Sequence, residues 1–132
     1  MKTIIVDDDP AIREGLRGIV ERLGAEVVAE AEDGRSAIER AKLCAPELIL
    51  LDVSMPGMSG LAAARQLRQI MPDVPIIIIS QHNNRVYAEE AMQSGAGAFV
   101  LKRSAVHDLA VAIPAVMAGR TFVSALITAA RA

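Results

Sequence analysis

Two unbroken aliphatic runs, Leu48-Ile49-Leu50-Leu51 and Ile76-Ile77-Ile78-Ile79, constrain this chain more than any other feature. A strand with one face in water alternates apolar and polar residues. An unbroken run is what a strand looks like when helices cover both faces of its sheet, the usual condition of a central parallel strand. Parallel neighbours need crossover connections, and the sequence supplies them as helix-period segments between short aliphatic runs.

Ile4-Ile5-Val6 reads as a first strand. Asp9-Pro10 then offers an N-cap and an N1 proline to a helix that carries Ile12, Leu16, Ile19, Val20 and Leu23 on one face and stops at Gly24. Val27-Val28-Ala29 is a second strand, followed by a turn at Asp33-Gly34 and a helix through Ala37, Ile38 and Ala41 that must end before Pro46. After Gly60 comes a helix with Leu61, Ala64, Leu67 and Ile70; another spans about 84–94; Ala98-Phe99-Val100-Leu101 is a fifth strand, and a last helix covers about 106–118. Five βα units in strict alternation predict an α/β domain with an open, doubly wound five-stranded parallel sheet, since an eight-fold barrel would need about 250 residues. Residues 1–119 are expected to form that domain, with 120–132 as a C-terminal tail. Pro114 lies inside the last helix, where its ring crowds the carbonyl of Ala110, so a bend is expected there, one that weakens or redirects pairing through that helix.

Apolar residues make up 52% of the chain but aromatics only 2%, so the core must be aliphatic. Fourteen basic and sixteen acidic residues are scattered along it, which argues against direct nucleic-acid binding by this segment. Cys44 is the single cysteine, excluding an intrachain disulfide and suiting a reducing cytoplasm. No apolar run approaches the ~18 residues of a membrane span, and the first residues lack a signal peptide's apolar stretch.

Open α/β sheets work at the carboxyl ends of their strands. Strand one ends in Asp7-Asp8-Asp9, strand three in Asp52, strand four in Ser80 and strand five in Lys102. Their spacing, 44, 28 and 22 residues from Asp8 onward, puts all four groups on one rim. Three carboxylates beside a hydrophobic strand are costly to ionise together, and a divalent cation relieves that cost. Oxygen ligands without His or Cys favour Mg²⁺, which can bridge to a phosphate. Lys102 and the Ser80 hydroxyl could meet other phosphoryl oxygens while Asp52 attacks as nucleophile.

Each residue alone has an ordinary explanation: Asp9 as a helix cap, Asp7 or Asp8 as strand-end solvation, Ser80 as a turn residue, Lys102 as a solvated surface group. Their joint occurrence in order at four strand ends carries the reading. Cys44, His82 and His107 show no nucleophile–base partner and are read as structural or surface residues.

These residues resemble the receiver domains of bacterial two-component response regulators, over about 1–119. The resemblance runs through Ile5-Val6-Asp7-Asp8-Asp9-Pro10, the stretch from Leu51-Asp52 through Ser54 and Pro56 to Gly60, Ile79-Ser80 and Val100-Leu101-Lys102. It implies a flavodoxin-like fold with strand order 2-1-3-4-5 and five helices, and Asp52 as phosphoacceptor. It also implies Mg²⁺ on Asp7, Asp8, Asp52 and the Ser54 carbonyl, catalytic help from Ser80 and Lys102, and Ser80 and Phe99 as switch residues. The implied donor is a phosphohistidine on a sensor kinase, the implied output the face made by the fourth helix, fifth strand and fifth helix, through which homodimers form. Such a chain is a cytoplasmic regulator that assists its own phosphotransfer rather than an enzyme. The chain is most similar to the NarL/FixJ type, whose receivers precede a LuxR-type DNA-binding domain, and Ala118-Gly119-Arg120-Thr121-Phe122-Val123-Ser124 resembles the linker used there. No such domain follows within 132 residues, so control of transcription falls to a segment outside this chain, or the receiver stands alone.

Several positions depart from the common pattern, among them Phe99, which lacks the hydroxyl a Tyr would offer and leaves burial to drive any rotamer switch. Arg103 stands where many receivers have Pro, Ser59 where Asp or Asn is frequent, and Ala98 where Gly is common; Gln81 is bulky beside Ser80 and predicted to slow access to Asp52. Two other readings compete for these residues. A haloacid-dehalogenase-type phosphatase would use Asp7 and Asp9, but it leaves Asp52 unexplained and lacks an acidic pair beyond the Lys, where only Asp108 occurs. A pseudo-receiver, a pure protein-binding module, would normally have lost part of the acidic set, and here the set is complete.

Overall fold

The computed structural model describes residues 1–53 and 57–124. Its elements alternate as the apolar pattern requires: β1 (Lys2–Val6), α1 (Pro10–Arg22), β2 (Glu26–Ala31), α2 (Gly34–Cys44), β3 (Leu48–Asp52), α3 (Gly60–Ile70), β4 (Ile76–Ser80), α4 (Arg85–Gln93), β5 (Ala98–Leu101), α5 (Ala105–Met117) and β6 (Phe122–Val123). All strands are parallel, in the order β2-β1-β3-β4-β5-β6. The five-stranded expectation is therefore corrected to six. Phe122 pairs with Ala98 and Val123 with Phe99, so α5 is itself a crossover connection and the sheet continues past Gly119. Two residues show no periodicity, which is why this strand is invisible to a pattern argument.

Every residue of β3 and β4 is buried. Alternate side chains enter opposite layers: Ile49, Leu51, Ile76, Ile78 and Phe99 pack with the small and aliphatic residues of α2, α3 and α4. Leu48, Leu50, Ile77, Ile79 and Val100 pack with Leu16 and Val20 of α1 and with Leu109, Ala112, Ile113 and Val116 of α5. The continuous apolar runs thus supply two cores at once.

Helix ends follow local chemistry. Asp9 caps α1 by accepting from the Ala11 amide at 2.9 Å. At the other end the Gly24 amide bonds the Glu21 carbonyl and the Ala25 amide that of Val20, with Gly24 at φ +94°. That pattern needs a left-handed residue, which explains the glycine. Ser59 caps α3, accepting from the Ala62 amide, so Ser, Asp and Asn are interchangeable at this position for a capping reason. The last helix is continuous through Pro114. Both Pro114 and Ala110 are exposed, so water can satisfy the carbonyl that the proline leaves without a donor.

Candidate functional site

The carboxyl ends of β1, β3, β4 and β5 converge. Asp7 follows β1 directly; its amide donates to the Ala31 carbonyl at 3.1 Å and its Oδ1 accepts from the Asp9 amide at 2.9 Å, so backbone bonds on both sides fix the fully buried side chain. Asp52 is the last residue of β3 and only 3% exposed, while Asp8 faces solvent. One oxygen from each of Asp7, Asp8 and Asp52 lies within 4.8 Å of the others.

Lys102, half-buried just after β5, reaches into this cluster. Its Nζ is 3.0 Å from Asp7 Oδ2 and 3.3 Å from Asp52 Oδ1. Burial alone would lower the ammonium pKa, but the Asp7 carboxylate and the charges of Asp52 and Asp7 outweigh burial and hold it above 10.5. Asp7 Oδ2 is buried and, among the described residues, meets the Lys102 ammonium as an ion pair. A buried oxygen of this kind, in a donor set made only of carboxylates, fits a hard divalent cation.

Ser80 ends β4 and is buried, but its hydroxyl is engaged within its own loop. It accepts from the His82 amide at 2.9 Å and is 3.5 Å from the His82 carbonyl. The His82 ring stacks on Tyr87 with centroids 5.1 Å apart, in keeping with a structural role. Phe99 is wholly inside the α2–α3–α4 core. Gln81 and Arg103 are exposed on the rim, and the chain leaves β5 without a cis peptide. Ser54 lies outside the described residues.

Asp9 is exposed and bonded as a cap, the alternative left open by the sequence. Two contributors escaped that reading. Arg13, one turn into α1, donates from Nη1 to the Asp7 carbonyl at 2.6 Å and from Nε to Glu30 at 3.0 Å. Glu30 also receives Arg17 at 2.7 Å; that bond is the main reason its carboxyl sits below the usual range, with burial opposing and Arg13 assisting. Gly60, the first residue of α3, runs against the end of β3: its amide donates to the Val53 carbonyl at 2.9 Å, and a Cβ there would collide with the Asp52 carbonyl. Its place between a capping Ser and an apolar helix face was the available signal; the close approach is visible only in three dimensions.

The response regulator receiver domain model matches residues 3–114. Curated relatives include the transcriptional regulatory protein DegU of Brevibacillus brevis, 33% identical over 129 residues, which are 97% of this chain and 55% of DegU. The response regulator UvrY of Escherichia coli (strain K12) is 33% identical over 125 residues, 94% of this chain and 57% of UvrY. The chain spans about half the length of these relatives. Among solved structures, a LuxR-family two-component response regulator from Aurantimonas sp. SI85-9A1 superimposes with a TM-score of 0.91 at 36% identity, covering 96% of this chain and 91% of that one. The isolated receiver domain of RcsB from Salmonella enterica serovar Typhimurium, determined with the phosphomimetic BeF3-, gives 0.88 at 27% identity, covering 97% and 96%. With two carboxylates buried at strand ends, a lysine bridging them and this match over most of its length, the chain belongs to the response regulator receiver domain family.

Proposed function

We propose that Asp52 accepts a phosphoryl group from a phosphohistidine of a sensor kinase, in a Mg²⁺-dependent reaction, and that the change is passed to the face formed by α4, β5 and α5. The observation that carries this reading is the cluster itself: three carboxylates within 4.8 Å, two of them held by one lysine. An Asp52 carboxylate oxygen attacks phosphorus, forming the acyl phosphate as the donor's P–N bond breaks and the leaving imidazole keeps the electron pair. Lys102 places a cation where the incoming oxygens would carry charge. Asp7, Asp8, Asp52 and the carbonyl of Ser54 would hold Mg²⁺, whose bound charge offsets carboxylate and phosphoryl oxygens together. The same groups assist attack by water on the acyl phosphate, with Gln81 at the rim limiting that access.

Chelation should therefore silence the site. With a small phosphodonor such as acetyl phosphate, Mg²⁺-loaded protein gains one phosphoryl group and EDTA-treated protein none, with uptake restored by added Mg²⁺. Equal uptake under chelation would contradict the assignment.

Signalling requires Ser80 to leave His82. On phosphorylation its hydroxyl turns toward the new oxygens, and the buried Phe99 ring and α4 adjust to the space released. Coordinates with and without beryllofluoride should show the Ser80–His82 contacts broken and α4 displaced; an unchanged Ser80 and α4 would refute the switch. Exposed Val86 and Tyr87 on α4 and Val106 and Val111 on α5 support homodimer formation through this face. The name of DegU, a transcriptional regulatory protein, supports control of transcription by the whole protein, through a LuxR-type DNA-binding domain outside this segment. Among the described residues no helix is long and apolar enough to cross a membrane, and the proposed place of action is the cytoplasm.

A further inference from the structure

The segment that carries Lys102 lacks the proline turn that often follows this lysine, since Arg103 occupies the position and no peptide bond among the described residues is cis. Residues Lys102–Ser104 make a short 3-10 turn between β5 and α5. A buried polar network spans that turn. Asp108, a buried carboxylate in the first turn of α5, accepts on a single oxygen, Oδ2, from the Ser104 hydroxyl at 2.7 Å and from the Ser124 hydroxyl at 2.6 Å. Ser124, wholly buried, also accepts from the Leu101 amide at 3.0 Å and donates its own amide to the Phe99 carbonyl at 2.9 Å.

Helix capping does not account for this arrangement. Ser104 occupies the N-cap position of α5 yet makes no capping bond, and its hydroxyl goes to Asp108. A hydroxyl at an N-cap would ordinarily satisfy a free helix amide. Sheet pairing accounts for the Ser124 amide bond to Phe99 but not for the rest, because the Leu101 amide is met by a side chain. What the bonds share is their placement. They hold the backbone amide of Leu101, immediately before Lys102, and the side chain of Ser104, two residues after it.

We infer that Asp108, Ser104 and Ser124 are positioning residues for phosphoryl transfer, a polar brace that fixes the backbone of Lys102 so that its ammonium reaches Asp7 and Asp52. The inference rests on the reading of Asp52 as phosphoacceptor. The brace acts through hydrogen-bond geometry, so an acceptor oxygen at position 108 matters and its charge does not. A misplacement on the order of 1 Å can cost about a hundredfold in rate.

The test is the rate of phosphoryl uptake from acetyl phosphate, measured together with the Mg²⁺ concentration for half-maximal rate. Asp108→Ala and Ser124→Ala should each slow uptake at saturating Mg²⁺ by about tenfold or more, while Asp108→Asn, which still offers an oxygen to both hydroxyls, stays within about threefold of wild type. The Mg²⁺ midpoint should move much less than the rate, because Asp7, Asp8 and Asp52 themselves lie outside the brace. Ser104→Ala, at a half-buried position, gives the same reading if the buried variants fail to fold. Wild-type rates in the alanine variants, equal losses in Asp108→Asn and Asp108→Ala, or a Mg²⁺ midpoint shifted as far as the rate would overturn the inference. A wild-type protein that takes up no phosphoryl group would instead overturn the Asp52 reading on which it rests.

Discussion

Asp52→Asn will lower phosphoryl uptake by a factor of at least about 10³, the scale on which enzymes lose activity when a nucleophile is removed. Asn preserves the shape of the side chain and can still accept a hydrogen bond, but its amide oxygen is a poor nucleophile and cannot form a stable acyl phosphate. Asp7 and Asp8 do not replace it. Asp7 Oδ1 is tied to the Asp9 amide and Oδ2 faces Lys102, while Asp8 is exposed and, among the described residues, has no lysine contact to place a cation beside an incoming phosphoryl group. The fold should survive, since Lys102 keeps its 3.0 Å contact with Asp7. Uptake by folded Asp52→Asn at the wild-type rate would mean that another residue is the acceptor.

The second large effect concerns a residue with no side chain. Gly60→Ala should destabilise the domain by about 3 kcal/mol, the upper end of the usual cost of overpacking. The neighbour that its new methyl group would meet is backbone, the Asp52 carbonyl and the Val53 Cα, and neither can swing aside as a flexible side chain would. Relief requires α3 to move off the end of β3, and that end carries Asp52. Denaturant unfolding should therefore show a lowered midpoint, and the folded fraction should take up phosphoryl groups more slowly. A variant as stable and as fast as wild type would show that α3 does not constrain Asp52.

What was legible in the sequence follows from which interactions leave a local signature. Leu48-Ile49-Leu50-Leu51 and Ile76-Ile77-Ile78-Ile79 announce strands because burial on both faces removes polar residues, and the sheet places them at its centre. Asp7, Asp52, Ser80 and Lys102 could be assigned to one rim because each ends a strand of a parallel sheet. The Asp9 cap and the Gly24 stop are short-range and equally readable. β6 is not, because it is two residues long and gains its place from pairing with β5 rather than from any pattern of its own. Arg13 carries no sign in the sequence that it holds the Asp7 carbonyl, a contact set by how α1 leans on β1. Asp108 served in the sequence only to weigh a phosphatase, and Ser124 only as part of a linker. Their hydrogen bond joins α5 to the chain after β6, and no periodicity records a contact of that kind. Ser80 sits where expected, but its attachment to His82 depends on the path of the loop after β4.

The central claim is that the carboxylate at the end of β3 becomes an acyl phosphate. The most direct measurement is peptide mass mapping of the protein after reaction with acetyl phosphate and Mg²⁺, under conditions that preserve acyl phosphates. The account predicts a single phosphoryl group, carried by Asp52 and absent from the EDTA control. A phosphoryl group on any other residue, or an unmodified protein under conditions that label an established receiver, would contradict it.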